Sequence, residues 1–482
     1  MPSNNRVFSN FIWRFMERWG AQGVTLIVGI VLARILDPEV YGTIALVTVF
    51  TTLLQVFIDS GLGTALIQKK DADDLDFSSV FWFNLGVCVL LYLLMFFAAP
   101  AISAFYNKPD LTPVIRVLSL TLIISGVKNI QQAYVSRNLM FKKFFFATLG
   151  GTIGAAVIGI IMAYRGYGVW ALVAQYLFNA TVDTIILWIT VRWRPTIAFS
   201  FDRFKVLFSF GWKILASSLI DTVYNELRAL IIGKFYSSEE LAYYTKGAQF
   251  PKYGVENINS SMNSVLLPVL AKRQDDIYAI KAATKRVIRS SSYIIWPMMI
   301  GLCVVTPQFI TVILTEKWLP AVFYMRILCF DYVLQPLQTT NLSVIKALGR
   351  SDLHLKMEIL KKSIAIMIVL ISSFFDVKYI AIGTVLYSVI ASIINSYPNK
   401  KLIDYRYIDQ IIDILPFAGM SIIMGAIVYA VSFIPIAPLP LLILEIIIGS
   451  ISYIGISILF HVDTFDYFIS MIKRLLVHSE RS

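Results

Sequence analysis

Residues 79–104 read SVFWFNLGVCVLLYLLMFFAAPAISA, a run without one charged side chain, bracketed by KKDADDLD at 69–76 and YNKPD at 106–110. As a helix this run rises about 39 Å, more than the ~30 Å hydrocarbon core of a bilayer, so it reads as a transmembrane span. Similar apolar runs recur roughly every 34 residues to either side, each long enough to cross. Of 482 residues, 57% are hydrophobic and only 15% charged, and the mean hydropathy is +0.72. No soluble domain buries that fraction, and the little chain left between runs excludes a soluble enzyme domain. Cys88, Cys303 and Cys329 lie inside apolar runs and His354, His461 and His478 are scattered, so neither a disulfide framework nor a metal-ligand cluster can be drawn. The net charge of +12 has no basic soluble domain to carry it, which sets nucleic acid aside and points to membrane topology.

Fourteen spans are expected, near 15–36, 41–67, 79–104, 112–136, 144–164, 167–191, 206–233, 240–270, 288–314, 320–348, 356–375, 378–399, 411–433 and 439–461. The fold class is therefore an all-α polytopic membrane protein. The number becomes twelve if the last pair, interrupted by Pro435, Pro438 and Pro440, does not cross. The first run lacks a short apolar core with a small-residue cleavage site and starts at Arg14, Glu17 and Arg18, so it is expected to be an uncleaved helix entered from a basic, amphipathic leader. Lys and Arg divide unevenly between alternate loops. The terminal segments and the loops after even-numbered spans hold 29 of the 42, whereas the opposite loops hold only Arg34, Lys108, Arg165, Lys234, Lys317 and Lys378. The positive-inside rule then places both termini in the cytoplasm.

The chain also resembles itself. LARILDPEVYGTIAL from Leu32 aligns with IGKFYSSEELAYYTK from Ile232, pairing Arg34 with Lys234 and Glu39 with Glu239. RVLSL from Arg116 aligns with RILCF from Arg326, each followed by a polar patch (Asn129, Gln131, Gln132; Gln338, Thr339, Asn341). Two matches in the same order, six spans apart, predict two parallel six-helix bundles, as in transporters whose halves rock about a central site. The expected domains are an N-terminal bundle at 1–191, a cytoplasmic linker at 192–205, a C-terminal bundle at 206–400, and two additional helices with a cytoplasmic tail at 401–482.

The stretch ARILDPEVYGTIALVTVFTTLLQVFIDSGLGTALIQKKD at 33–71 resembles the signature of oligosaccharide flippases of the multidrug/oligosaccharidyl-lipid/polysaccharide exporter superfamily, in its Wzx-like, colanic-acid-exporter-like branch. FSFGWKILASSLIDTVYNELRALIIGKFYSSEELAYYTKGAQFP at 208–251 resembles the same branch. The resemblance implies a bacterial inner-membrane protein that carries undecaprenyl-pyrophosphate-linked repeat units from the cytoplasmic to the periplasmic leaflet, for O-antigen, capsule or exopolysaccharide. It also implies a central cavity lined by spans 1, 2, 7 and 8. The family has no short invariant catalytic motif.

Polar residues repeat at helical spacing on those same four spans, a pattern that stands on spacing alone. Arg14, Arg18 and Gln22 fall at steps of four on the first, and Thr48, Thr52, Gln55 and Asp59 share a face of the second. Asp221, Tyr224, Asn225 and Arg228 do so on the seventh, and Lys246, Gln249, Tyr253, Glu256, Asn257 and Ser260 on the eighth. Ionisable groups in hydrocarbon face a cavity or a partner, so the stripes read as a hydrophilic pathway or as interhelical hydrogen bonds. For a pyrophosphate, Arg228, Lys246 and Lys252, with Arg18 at the mouth, are the candidate cationic partners. Gln22, Gln55, Asn225, Gln249, Tyr253 and Asn257 suit sugar hydroxyls. Asp59, Asp221 and Glu256 are candidates for a coupling proton or sodium ion, or counter-ions to Arg228 and Lys252. Pro251 is expected to bend the eighth span, and Trp188 and Trp193 to sit in an interfacial belt.

The expectation is a flippase, not an enzyme, with no cofactor. Its partners would be a lipid-linked oligosaccharide and membrane lipids, with a polysaccharide polymerase and glycosyltransferases as candidates. The rivals are a lipid II flippase and a cation-coupled multidrug exporter, the latter disfavoured by fixed positive charge. A membrane glycosyltransferase would need a large extracytoplasmic loop, and none here exceeds about 15 residues.

Overall fold

Apolar runs of this length close their backbone hydrogen bonds internally, and helices result throughout: a computed structural model describes residues 4–59, 61–271 and 273–470, with eighteen α-helices and no strand among them. Contacts divide the chain into two units, Met1–Ala242 and Tyr243–Ser482.

The first unit holds α1 (Asn4–Ile35), α2 (Pro38–Asp59), α3 (Leu62–Gln68), α4 (Asp74–Phe105), α5 (Leu111–Leu118), α6 (Leu120–Arg137), α7 (Phe141–Tyr164), α8 (Val169–Thr190) and α9 (Phe201–Phe235). The second unit begins within α10 (Ser238–Ala271) and continues through α11 (Ile277–Ile313), α12 (Ala321–Val333), α13 (Gln335–Ala347), α14 (Ser351–Ser372), α15 (Val377–Ser396), α16 (Asn399–Leu402), α17 (Tyr407–Val431) and α18 (Pro438–Leu459). All fourteen expected segments appear as helices. Three are split in two, at Gly61, Ser119 and Leu334, and α16 extends the span formed by α15. The last split precedes Pro336 in the first turn of α13, where proline disfavours helical geometry before it.

Among the described residues nine segments are long and apolar enough to cross a membrane by length and composition, and α9 makes ten if its two arms, bent by 45°, count as one span. Those that fall short are α1, α10, α12 with α13, and α14. In α1 the apolar stretch is only Trp19–Ile35, too short by itself, whereas in α10 the polar residues that suggest a pathway lower the hydropathy. The sequence expectation divides the bundles at 192–205, whereas α9 packs on α2, α3 and α4 and falls in the first unit.

The internal repeat is built into the geometry. The α1–α2 turn runs from Ile35 to Pro38 and the α9–α10 turn from Phe235 to Ser238, an offset of 200 at both ends. Arg116 Nε donates to the Phe96 carbonyl at 3.2 Å, and Arg326 Nε donates to the Cys303 carbonyl at 3.1 Å. In each unit an arginine in the first half of a broken span therefore satisfies a carbonyl of the preceding span.

Charged loops converge at one end of the first unit. Arg137 donates to the carbonyls of Leu66, Lys69 and Lys70, tying the end of α6 to that of α3. Arg203 pairs with Asp73, the N-cap of α4, and Lys69 reaches buried Asp76 at 2.6 Å. The Arg203 guanidinium holds the Asp73 carboxyl down at about 2, so this tie stays ionised at neutral pH. At the other end Lys108 pairs with Glu39 at 2.9 Å, and Lys234 donates to the Phe105 carbonyl. In the second unit Lys281 meets Asp404 at 3.2 Å and Lys285 meets Asp413 at 2.8 Å.

Two local expectations change. Trp193 is buried, stacked on Tyr134 at 6.0 Å and packed against Phe77, so it is core and not belt. The chain turns there into the extended α8–α9 connection and carries the ring inward. The helix α10 runs unbroken through Pro251, and the 45° bend lies in α9, between Ser209 and Gly211.

Candidate functional site

Gly61 takes φ +90, a left-handed conformation that costs glycine least, and this ends α2 after Asp59. It does so against Gly211 at the bend of α9: a Cβ on Gly61 would lie 2.1 Å from the Gly211 carbonyl oxygen. The two glycines let the backbones touch, and beside them a cavity of about 510 Å³ opens in the first unit.

The α2 wall of this cavity is Thr51, Thr52, Gln55, Val56 and Asp59. Thr64 of α3, Thr121 of α6, and Ile214 and Ser218 of α9 complete it. Asp59 accepts from Gln55 Nε2 at 2.9 Å and from Asn129 Nδ2 at 3.0 Å. Thr51 donates to the Thr48 carbonyl of α2 at 3.1 Å, and Thr121 donates across the α5–α6 break to the Leu118 carbonyl at 2.7 Å. Thr52, Thr64 and Ser218 add hydroxyls that can donate or accept, beside the Asp59 carboxylate and the Gln55 amide carbonyl. The lining is thus rich in acceptors, which suits sugar hydroxyls or a small cation.

Ile214 and Ser218 lead by steps of three or four to Asp221, Asn225 and Arg228, so the α9 stripe continues from the cavity wall along one face. Asp221 and Asn225 are exposed, and the Arg228 guanidinium lies 5.7 Å from the Tyr224 ring centroid. About two turns along α6 from Thr121, Lys128 pairs with Asp183 of α8 at 2.9 Å, both largely buried. Sequence spacing did not bring Lys128 and Asp183 forward, because they lie on different spans, and it marked Asn129 only as part of the polar patch that follows Arg116. The available signal was a lysine and an aspartate inside otherwise apolar runs.

In the second unit α10 presents its polar residues differently from one another. Lys252 and Glu256, each about half exposed, pair loosely at 3.7 Å. Gln249 Nε2 donates to the Tyr253 hydroxyl at 3.3 Å, and Asn257 Nδ2 donates to the Tyr253 carbonyl at 2.9 Å. Lys246 is only 7% exposed, with Nζ 5.9 Å from the Trp318 ring centroid. Lys246 therefore sits in packing while Lys252 stands free of it. On α1, Gln22 is half-buried and does not line the cavity, and the side chain of Arg18 lies outside the described residues. Among the described residues no group of three or more His, Cys, Asp and Glu is placed to hold a metal.

A family model described as "Polysaccharide biosynthesis protein" matches residues 31–323. The teichuronic acid biosynthesis protein TuaB of Bacillus subtilis (strain 168) is 28% identical over 305 residues, 63% of each chain. The lipopolysaccharide biosynthesis protein WzxC of Escherichia coli (strain K12) is 24% identical over 352 residues, 71% of this chain and 72% of WzxC. The chain thus spans just under two thirds of TuaB's length. Among solved structures, the lipid II flippase MurJ in an inward closed conformation superposes with a TM-score of 0.78 at 14% identity, over 94% of this chain and all of that one. At that identity the likeness is one of fold. With well over half of its length matched by the family model, this multi-pass membrane chain belongs to the polysaccharide biosynthesis protein family.

Proposed function

We propose that this protein flips undecaprenyl-pyrophosphate-linked oligosaccharide repeat units from the cytoplasmic to the periplasmic leaflet of a bacterial inner membrane, supplying O-antigen, capsule or exopolysaccharide assembly. The observation that carries this reading is the acceptor-rich cavity of the first unit, continued along α9 to Arg228. Sugar hydroxyls need acceptors, and the pyrophosphate needs a cation with fork geometry, which a guanidinium supplies. Within the second unit, Lys252 on α10 is a half-exposed cation of its own. Membership of the family and the names of its relatives support a polysaccharide intermediate as cargo. No covalent step is required, and both termini are cytoplasmic in this reading, which rests on the positive-inside rule.

A proton or sodium ion bound at Asp59, Asp221 or Glu256 is the proposed driving partner, and a polymerase and glycosyltransferases are the proposed neighbours in the membrane. The test is reconstitution in vesicles with pyrophosphate-linked oligosaccharide or lipid II on one leaflet, with and without an imposed proton or sodium gradient. Transport of the oligosaccharide carrier, faster under one gradient, is the expected result. Transport of lipid II alone would overturn the cargo assignment. A gradient response unchanged in Asp59→Asn, Asp221→Asn and Glu256→Gln would remove the three acids from the coupling role.

A further inference from the structure

The last helix carries a carboxylate that the pathway above does not use. Glu445 of α18 is 0% exposed, and among the described residues neither carboxyl oxygen has a hydrogen-bond partner. It lies on the packed face of α18, in line with Leu442, Gly449, Tyr453 and Ser457, and that face covers α11 and α17. This burial is by protein: the opposite face of α18, with Ile443, Ile447 and Ile451, is the one left bare.

The groups around Glu445 can be placed by register. Tyr453 donates to the Tyr293 carbonyl at 2.9 Å, the Tyr293 hydroxyl meets Ser457 Oγ at 3.0 Å, and Arg289 pairs with Asp463 beyond α18 at 3.5 Å, so α18 runs antiparallel to α11. About two turns before Tyr453, Glu445 then falls beside the α11 segment between Pro297 and Pro307. That segment holds one titratable group, Cys303, whose carbonyl engages Arg326 Nε from α12 on α11. On α17 a Cβ at Gly449 would be 3.1 Å from Val428, which sets Glu445 near the end of that helix, where Tyr429 is the titratable residue and is half exposed. On α18 itself the other titratable group is Tyr453. The cations of α11, namely Lys281, Lys285, Arg286 and Arg289, stand at its far end, where Lys281, Lys285 and Arg289 pair with Asp404, Asp413 and Asp463.

A carboxylate ion in this place would have neither counter-charge nor hydrogen bond in a low-dielectric interior, a cost of several kcal/mol that the neutral acid avoids. We propose that Glu445 is a proton-binding site of the second unit, holding its proton while α18 is packed on α11 and α17 and releasing it to water when that packing opens. The O–H bond breaks to give carboxylate and a hydrated proton, and repacking requires the proton to return. Proton binding and the seating of α18 are therefore one equilibrium. The site is independent of the cargo assignment.

The full chain in lipid nanodiscs tests this without any substrate. Infrared difference spectroscopy of the wild type should show a protonated carboxyl C=O band at neutral pH that disappears as pH is raised. Hydrogen exchange in α17 and α18, corrected for its intrinsic pH dependence, should quicken about tenfold over the same interval. Glu445→Gln, a neutral mimic of the protonated acid, should lack the band and keep slow exchange at both pH values. A band that survives in Glu445→Gln, or wild-type exchange that does not change as the band is lost, would overturn the proposal.

Discussion

Arg228 and Lys128 are both cations inside helices that otherwise belong in lipid, and their surroundings separate their roles. Lys128 has a committed partner: its pair with Asp183 is buried and joins α6 to α8. Removing one member strands the other, so Lys128→Met should lower stability by about 3–5 kcal/mol, whereas Lys128→Met with Asp183→Leu should recover most of it. Thermal unfolding of the purified variants reads the difference. Arg228 lies on the stripe that continues from the cavity wall. Arg228→Ala should reduce export of surface polysaccharide about ten- to a hundredfold at unchanged membrane abundance, the range of one charge-assisted hydrogen bond. Arg228→Lys should recover only part, because an ammonium cannot offer a fork. Normal export in Arg228→Ala would remove it from the pathway.

Among the elements, the informative features are breaks. The second span is split at Gly61 and the seventh is bent beside Gly211, and the cavity opens where these two irregularities meet. Gly61→Ala would put a side chain at φ +90, costing roughly 1–2 kcal/mol, and would also drive Cβ into the Gly211 carbonyl. Gly166→Ala is the control: its φ is +79 but no atom lies within 4 Å of the added Cβ. Both variants should lose stability through backbone strain, and Gly61→Ala alone should also slow flipping in vesicles, since only there does the change deform a cavity wall. Equal flipping in the two variants would dissociate the glycine contact from transport.

On the scale of the whole molecule, orientation is the property to measure. Cysteine labelling of intact cells, against permeabilised ones, should find Arg194→Cys, Arg273→Cys and Arg350→Cys protected, and Ser238→Cys and Lys317→Cys near the outer surface. Ser238 is buried against Gly42, so Ser237→Cys, which is exposed, is the better probe of that turn. Protection of Ser237→Cys and Lys317→Cys, with labelling of the other three, would reverse the topology.

The amino-acid sequence by itself determined the fold class, the positions of fourteen helical segments and the α1–α2 and α9–α10 repeat. Each of these depends on contiguous hydropathy or on residues a fixed step apart, which a linear text preserves. It also marked Thr52, Gln55 and Asp59 as one face of α2, and the structure puts that face on a cavity. What only the tertiary structure decided was which partner each polar group meets. Lys246 and Lys252 look alike in the sequence, yet six residues turn a helix by about 240°, and one is enclosed beside Trp318 while the other stands half exposed. Lys128 needed Asp183, fifty-five positions away, before it could be read as an ion pair. Glu445 sat in a run too apolar to draw notice, and its isolation is a property of the helices packed around it. Periodicity assigns a residue to a face; only packing supplies what that face touches.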